Sequence, residues 1–253
     1  MIVSSTILGS GKVVIILHGL FGEGKNWMSI AKELSSYFEI HLIDQRNHGS
    51  SFHHDEHNYE VLVEDINKYI IHNNISDIII IGHSMGGKVA MNFAFSYPQK
   101  IAKLIIVDIA PTEYQDNHKS IFLGLKKVLK SANSRKEAIH ILMSHIQDLV
   151  TTNFLLKGLA FDTNNKPALR FNHIALENNL SKLLLALNPD KIFHGETYFL
   201  SGSQSNYIKD KDLKFIARQF PMFQKIEIDN AGHWVHYENK EGFLHALKKL
   251  LNL

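Results

Sequence analysis

The stretch IIIIGHSMGGKVAMNFA sets Gly82-His83-Ser84-Met85-Gly86 between an apolar, β-branched run and a segment of helical periodicity. A strand, a G-x-S-x-G turn and a helix in that order strain the turn and lift the serine hydroxyl above a sheet edge. The hydroxyl then sits at the positive end of a helix. Ser84 is the candidate nucleophile. A serine alone is a poor one and needs a base supplied from a distance in sequence. AGHWVHYEN offers His233 and His236. His233 lies nearest the end of the run KIEIDN and Gly232 frees its approach, whereas His236 falls on the first turn of the next segment. His233 is the expected base, and serine before histidine is the chain order that accompanies this motif. An acid that orients the base has two candidates. Asp108 closes LIIVDIAP, and Asp210 is the first carboxylate after the strand-like run at 197–200, in LSGSQSNYIKD. A carboxylate at the strand end of Asp108 could accept His233 Nδ1–H and leave Nε2 facing Ser84.

A second segment invites a different chemistry. VVIILHGLFGEGKN has Gly19, Gly24 and Lys25 at the spacing of a phosphate-binding loop, but Asn26 stands where a Ser or Thr hydroxyl would ligate magnesium. His18 at the strand end is not required by such a loop. The histidine-rich HHDEH at 53–57 is expected to be a solvated loop with no metal, because adjacent histidines on a strand face opposite ways.

These groups need a scaffold. Short buried-strand runs at 13–17, 39–43, 77–81 and 103–107 alternate with helix-like stretches at 26–36, 59–73 and 85–97, the last closed by Pro98. That alternation implies a mainly parallel sheet covered on both faces. After Pro111 the rhythm changes to Leu-rich helical periodicity, with no buried-strand run until 197–200 and 225–228. Helices are expected at 210–219 and from Lys240. The reading is a core of residues 1–111 and 191–253 with a helical cap inserted at 112–190.

At 253 residues, 45% hydrophobic and 21% charged, the chain can bury a full core. A net charge of +2 without long basic runs gives no footprint for nucleic acid. The absence of cysteine excludes disulfides, a thiol nucleophile and thiolate metal sites. No signal-peptide pattern and no run of 18 apolar residues is visible, so a cytoplasmic protein that does not enter the membrane is expected.

Five motifs together, HGLFG at 18–22, DQRNHGSS at 44–51, GHSMGGK at 82–88, VDIAP at 107–111 and AGHWVH at 231–236, resemble the α/β-hydrolase superfamily. In detail they resemble its small YbfF-type bacterial esterases, over nearly the whole chain. The resemblance implies an α/β fold in which the loop after the first buried strand lends an oxyanion hole one backbone N–H, here Leu20, and the residue after the nucleophile, Met85, lends another. The glycines of the first segment then bring backbone donors to a reacting carbonyl, and Lys25 is an exposed helix-start residue. YbfF-type esterases lack the usual acid after the later strand and use the aspartate matching Asp108, which favours Asp108 over Asp210. Asp44 and Arg46 are expected to brace the loop that also carries Asn47 and His48. Phe21 from the glycine loop, with Phe154, Leu155, Leu159, Phe161 and Phe171 from the cap, are expected to wall the acyl group. The implied activity is hydrolysis of esters or acyl-CoA thioesters of modest chain length through an acyl-enzyme, needing no metal, nucleotide or flavin. Ser84 argues against epoxide and haloalkane hydrolysis, which use a carboxylate at the elbow. Carbon–carbon bond hydrolysis, cleavage of carrier-bound methyl esters and a non-catalytic receptor remain as alternatives.

Overall fold

The structure is a computed structural model and describes residues 1–253. The chain opens with β1 (Ser4–Leu8), β2 (Val13–Leu17), α1 (Met28–Leu34) and β3 (Glu39–Asp44). It continues through α2 (Tyr59–His72), β4 (Ile78–His83), α3 (Met85–Ser96) and β5 (Ile101–Val107). Between β5 and the next sheet strand come α4 (Lys119–Ser131), α5 (Arg135–Ile146), α6 (Leu149–Lys157), β6 (Leu159–Phe161), β7 (Pro167–Leu169) and α7 (His173–Leu184). The sheet is then completed by β8 (Thr197–Gly202), α8 (Asp210–Gln219), β9 (Phe223–Ile228), α9 (Val235–Glu238) and α10 (Lys240–Leu250).

Seven strands pair in the order β1-β3-β2-β4-β5-β8-β9, and every pair is parallel except β1 with β3. The central strands read as continuous β-branched runs because both faces are covered. Ile15, Ile78, Ile80, Leu104, Ile106 and Phe199 face the layer of α2, α3 and α8. Their alternates Val14, Ile16, Ile79, Ile81, Ile105 and Leu200 face α1 and α10. This is the period-two alternation of a sheet buried on both sides. Each fully buried Ile contributes about 1.5–3 kcal/mol relative to exposure. Asn58 caps α2 by accepting the Val61 N–H at 3.0 Å, and Asn239 caps α10 by accepting the Gly242 N–H at 2.9 Å. The sheet is the one the resemblance implies.

The segment between β5 and β8 builds an apolar cluster of its own, with Phe122, Leu125, Val128, Leu142 and Leu176 at its centre and Phe21 of the β2–α1 loop joined to it. The segment is tied to the loops of the sheet by Gly49 N–H to the Arg170 carbonyl at 2.7 Å and by an Arg170–Glu23 ion pair at 2.8 Å. Two elements differ from the sequence-based expectation. The segment is not wholly helical: β6 and β7 form an antiparallel hairpin closed by Asp162 Oδ1, which accepts from Asn164 and Lys166 N–H. Three-residue strands are too short to show a period. β1 is the second difference: SSTIL is a half-exposed edge strand without clear alternation and carries no strand signal in the sequence. No helix is long and apolar enough to cross a membrane.

Candidate active site

Ser84 occupies the sharp turn between β4 and α3 with φ +51° and ψ −118°, a strained conformation for a residue with a side chain. The turn closes because Gly82 and Gly86 carry none: a Cβ on Gly86 would stand 2.4 Å from the Leu17 carbonyl. The start of α3 is thereby pressed against the end of β2. The Ser84 N–H donates to the Val107 carbonyl at 3.1 Å, which fixes the elbow against β5.

Asp108, the residue after β5, is fully buried with φ +52°. Its carboxylate accepts His233 Nδ1–H at 2.7 Å, the Gly202 N–H at 3.3 Å and the Ser205 hydroxyl. The loop after β8 carries no acid within reach of His233; it supplies donors to Asp108 instead. Asp210 lies exposed at the start of α8, outside this network. His233 is held on every side. Glu238 accepts the N–H groups of its two neighbours, Gly232 at 3.1 Å and Trp234 at 2.9 Å, and the His233 carbonyl accepts from His83 Nε2 at 2.9 Å. Burial, then the neighbouring His233 and His236, push His83 well below the usual histidine range, so it stays neutral and serves as a donor. Ser84 Oγ and His233 Nε2 are not hydrogen-bonded to each other in this structure. His236, the other candidate base, is buried in α9, stacked on Trp27 at 3.9 Å, and lowered to about 3 chiefly by that burial.

The glycine-rich segment leans over the elbow. A Cβ on Gly19 would stand 2.9 Å from His83 Nδ1 and 3.2 Å from Ser84 Cβ, so only glycine lets the loop come this close. The backbone N–H groups of Leu20 and Met85 donate to no protein acceptor, whereas the neighbouring Phe21 N–H is engaged by His48 Nε2 at 3.3 Å. Asp44 braces the loop by accepting Gly24 N–H at 2.7 Å and Ser50 N–H at 2.8 Å. Arg46 pairs with Asp65 of α2 at 2.8 Å. His18 turns inward and accepts the Gln45 N–H at 3.1 Å, while Lys25 is exposed. In HHDEH, His53 to Glu56 are exposed and His57 is buried against Asn47.

Ser84, Leu20 and Met85 open into one cavity of about 390 Å³. The expected walls are a correction: none of Phe21, Phe154, Leu155, Phe161 or Phe171 lines it. Phe154 stacks on Trp234 at 3.7 Å, and Phe171 and Phe122 each lie 5.3 Å from Phe21. Leu155 is fully buried, and Phe161 and Leu159 belong to the same packed cluster. Those side chains are consumed in giving the inserted segment its own core. Nine of the twenty lining residues are hydrophobic, Tyr59, Tyr114 and Tyr207 among them, and Lys88 is one of the polar remainder. Sequence reasoning missed these, together with Ser205 and Glu238. Lys88 alone left a trace, as the only charged residue of α3.

The alpha/beta hydrolase fold family matches residues 12–240. A Haemophilus influenzae protein with an esterase/lipase name is 39% identical over 95% of this chain and 83% of its own. Esterase YbfF of Escherichia coli is 31% identical over 94% and 92%. A solved marine microorganism esterase superposes with a TM-score of 0.93 at 38% identity, covering 98% of each chain. With the match spanning most of its length, and the elbow and sheet order in place, the chain belongs to the alpha/beta hydrolase fold family.

Proposed function

We propose that this protein is a serine hydrolase that cleaves carboxylic esters or acyl thioesters through an acyl-enzyme. The observation that carries the reading is the 2.7 Å contact between buried Asp108 and His233 Nδ1, which leaves Nε2 as the free ring nitrogen beside the elbow of Ser84. His233 Nε2 takes the Ser84 proton as Oγ adds to the acyl carbonyl, a contact that tightens once substrate is bound. The oxyanion is received by the unengaged N–H groups of Leu20 and Met85, each worth about 3 kcal/mol in a transition state of this kind. His233 then protonates the departing alcohol or thiol. Water, deprotonated by the same histidine, adds to the acyl-enzyme, and collapse releases the acid and restores Ser84. The segment 112–190 acts as a cap over the site. The names of the esterase relatives support ester cleavage.

The test is steady-state hydrolysis of p-nitrophenyl esters and acyl-CoA thioesters of increasing chain length, with Ser84→Ala alongside. Turnover that disappears in the variant is expected. An absence of Ser84-dependent turnover across both series would overturn the reading.

A further inference from the structure

Lys88 is 1% exposed, yet it lines the cavity that Ser84 opens into. It stands four residues after Ser84, in the first turn of α3, and both residues line the same cavity. Its amine reaches the opposite wall, where Nζ donates to the Leu185 carbonyl at 2.6 Å and, more weakly, to the Leu184 carbonyl at 3.4 Å. The Tyr114 and Tyr59 rings stand 5.0 and 5.9 Å from it. What it lacks is a carboxylate. Glu113 is exposed and acts on it only through space, and Asp212 is engaged by the backbone N–H of Lys209. A buried ammonium without a counter-ion is costly, and a fold that retains one at a cavity wall leaves a place for an anion.

We propose that Lys88 is the specificity-determining residue of this cavity and that it receives a carboxylate carried at the far end of the acyl group. The preferred substrates are therefore half-esters or half-thioesters of short dicarboxylic acids. This inference rests on the serine-hydrolase reading above. The distal carboxylate accepts the remaining N–H of Nζ and sets the scissile carbonyl over Ser84. Burial alone lowers Lys88, and a carboxylate beside it restores the charged form. Lys209 and Lys211, also on the cavity wall, add to the attraction from the mouth. A lining that mixes polar and apolar residues agrees with a short acyl group ending in a carboxylate.

The experiment compares monomethyl adipate with the methyl ester of adipic acid monoamide, an uncharged substrate of nearly the same shape, by acid release at constant pH. The wild type should favour the carboxylate by about tenfold or more in kcat/KM. In Lys88→Met that ratio should fall to about one or below. Equal rates in the wild type, or a preference that survives in Lys88→Met, would overturn the proposal. If Lys88→Met does not fold, inhibition of the wild type decides: adipate must compete with p-nitrophenyl acetate at least tenfold better than adipamide, and equal inhibition overturns the assignment. Ser84-dependent hydrolysis of p-nitrophenyl acetate separates the two readings. Absence of Ser84-dependent turnover there, on monomethyl adipate and across the ester and thioester series would end the hydrolase reading itself, whereas turnover without carboxylate preference would end only this one.

Discussion

The ring of Tyr207 lies flat on the imidazole of His233, with 3.6 Å between centroids and 15° between planes. The stack fixes the ring plane, while Asp108 fixes rotation within it. Tyr207 is therefore expected to position this ring, and a stacked pair of this kind contributes about 0.5–1.5 kcal/mol beyond buried area. Tyr207→Phe should retain activity. Tyr207→Ala should lower kcat about tenfold with a smaller change in KM. A parallel loss in both variants would assign the role to the hydroxyl instead.

The Asp108 carboxylate gathers three donors, from His233, Gly202 and Ser205. Asp108→Asn keeps the shape but favours the wrong tautomer of His233, and kcat should fall by about 10⁴. Asp210→Asn, on the exposed start of α8, should stay near wild type. Ser205→Ala removes one charge-assisted bond and should cost an intermediate amount, about tenfold. Kinetics on one activated ester separates all three. Retention of activity in Asp108→Asn with its loss in Asp210→Asn would reverse the assignment of the acid.

The parts of this molecule that could be read in the sequence are those in which one short stretch carries its own geometry. β4 and the elbow are contiguous, so IIIIGHSMGG states strand, turn and helix start together. Asp108 was harder, because its choice depends on Ser205 and Gly202, 94 or more residues away, filling the place where an acid is more often found. The cavity walls are not legible in the sequence for a physical reason. Aromatic residues in a small inserted segment can either face a ligand or build a core, and periodicity does not distinguish the two. Here the core took Phe154, Leu155 and Phe171, and the cavity is lined instead by residues at the two ends of that segment, 112–118 and 180–184, together with Tyr59, Lys88 and Tyr207.

Gly19 is where the β2–α1 loop, proposed to carry an oxyanion donor, passes close to the elbow. A methyl group there would meet His83 Nδ1 at 2.9 Å and Ser84 Cβ at 3.2 Å, so Gly19→Ala must push the loop outward by some tenths of an ångström. The Leu20 N–H moves with it. Loss of one oxyanion donor typically costs 10²–10³ in kcat, and Gly19→Ala should approach the lower end of that range while its circular dichroism matches wild type. A kcat within twofold of wild type would show that Leu20 N–H does not stabilise the transition state.

Burial brings Lys88 down from the ordinary lysine value to about 7, with Glu113 opposing only in part. Between about pH 7 and 10.5 the unfolded chain keeps the lysine proton while the folded chain has given it up, so this residue makes stability rise with pH across that window. Below pH 7 both states hold the proton, the slope vanishes, and the cost of burying the ammonium is present in full. Lys88→Met removes that cost. The variant should therefore be more stable than wild type at pH 6, and the difference should shrink steadily as pH rises to 9. Comparing the two proteins cancels the tyrosines and other groups that titrate nearby. Urea midpoints at pH 6, 7.5 and 9 give the result, and a gap that stays constant with pH would mean that Lys88 keeps an ordinary lysine pKa in the folded protein.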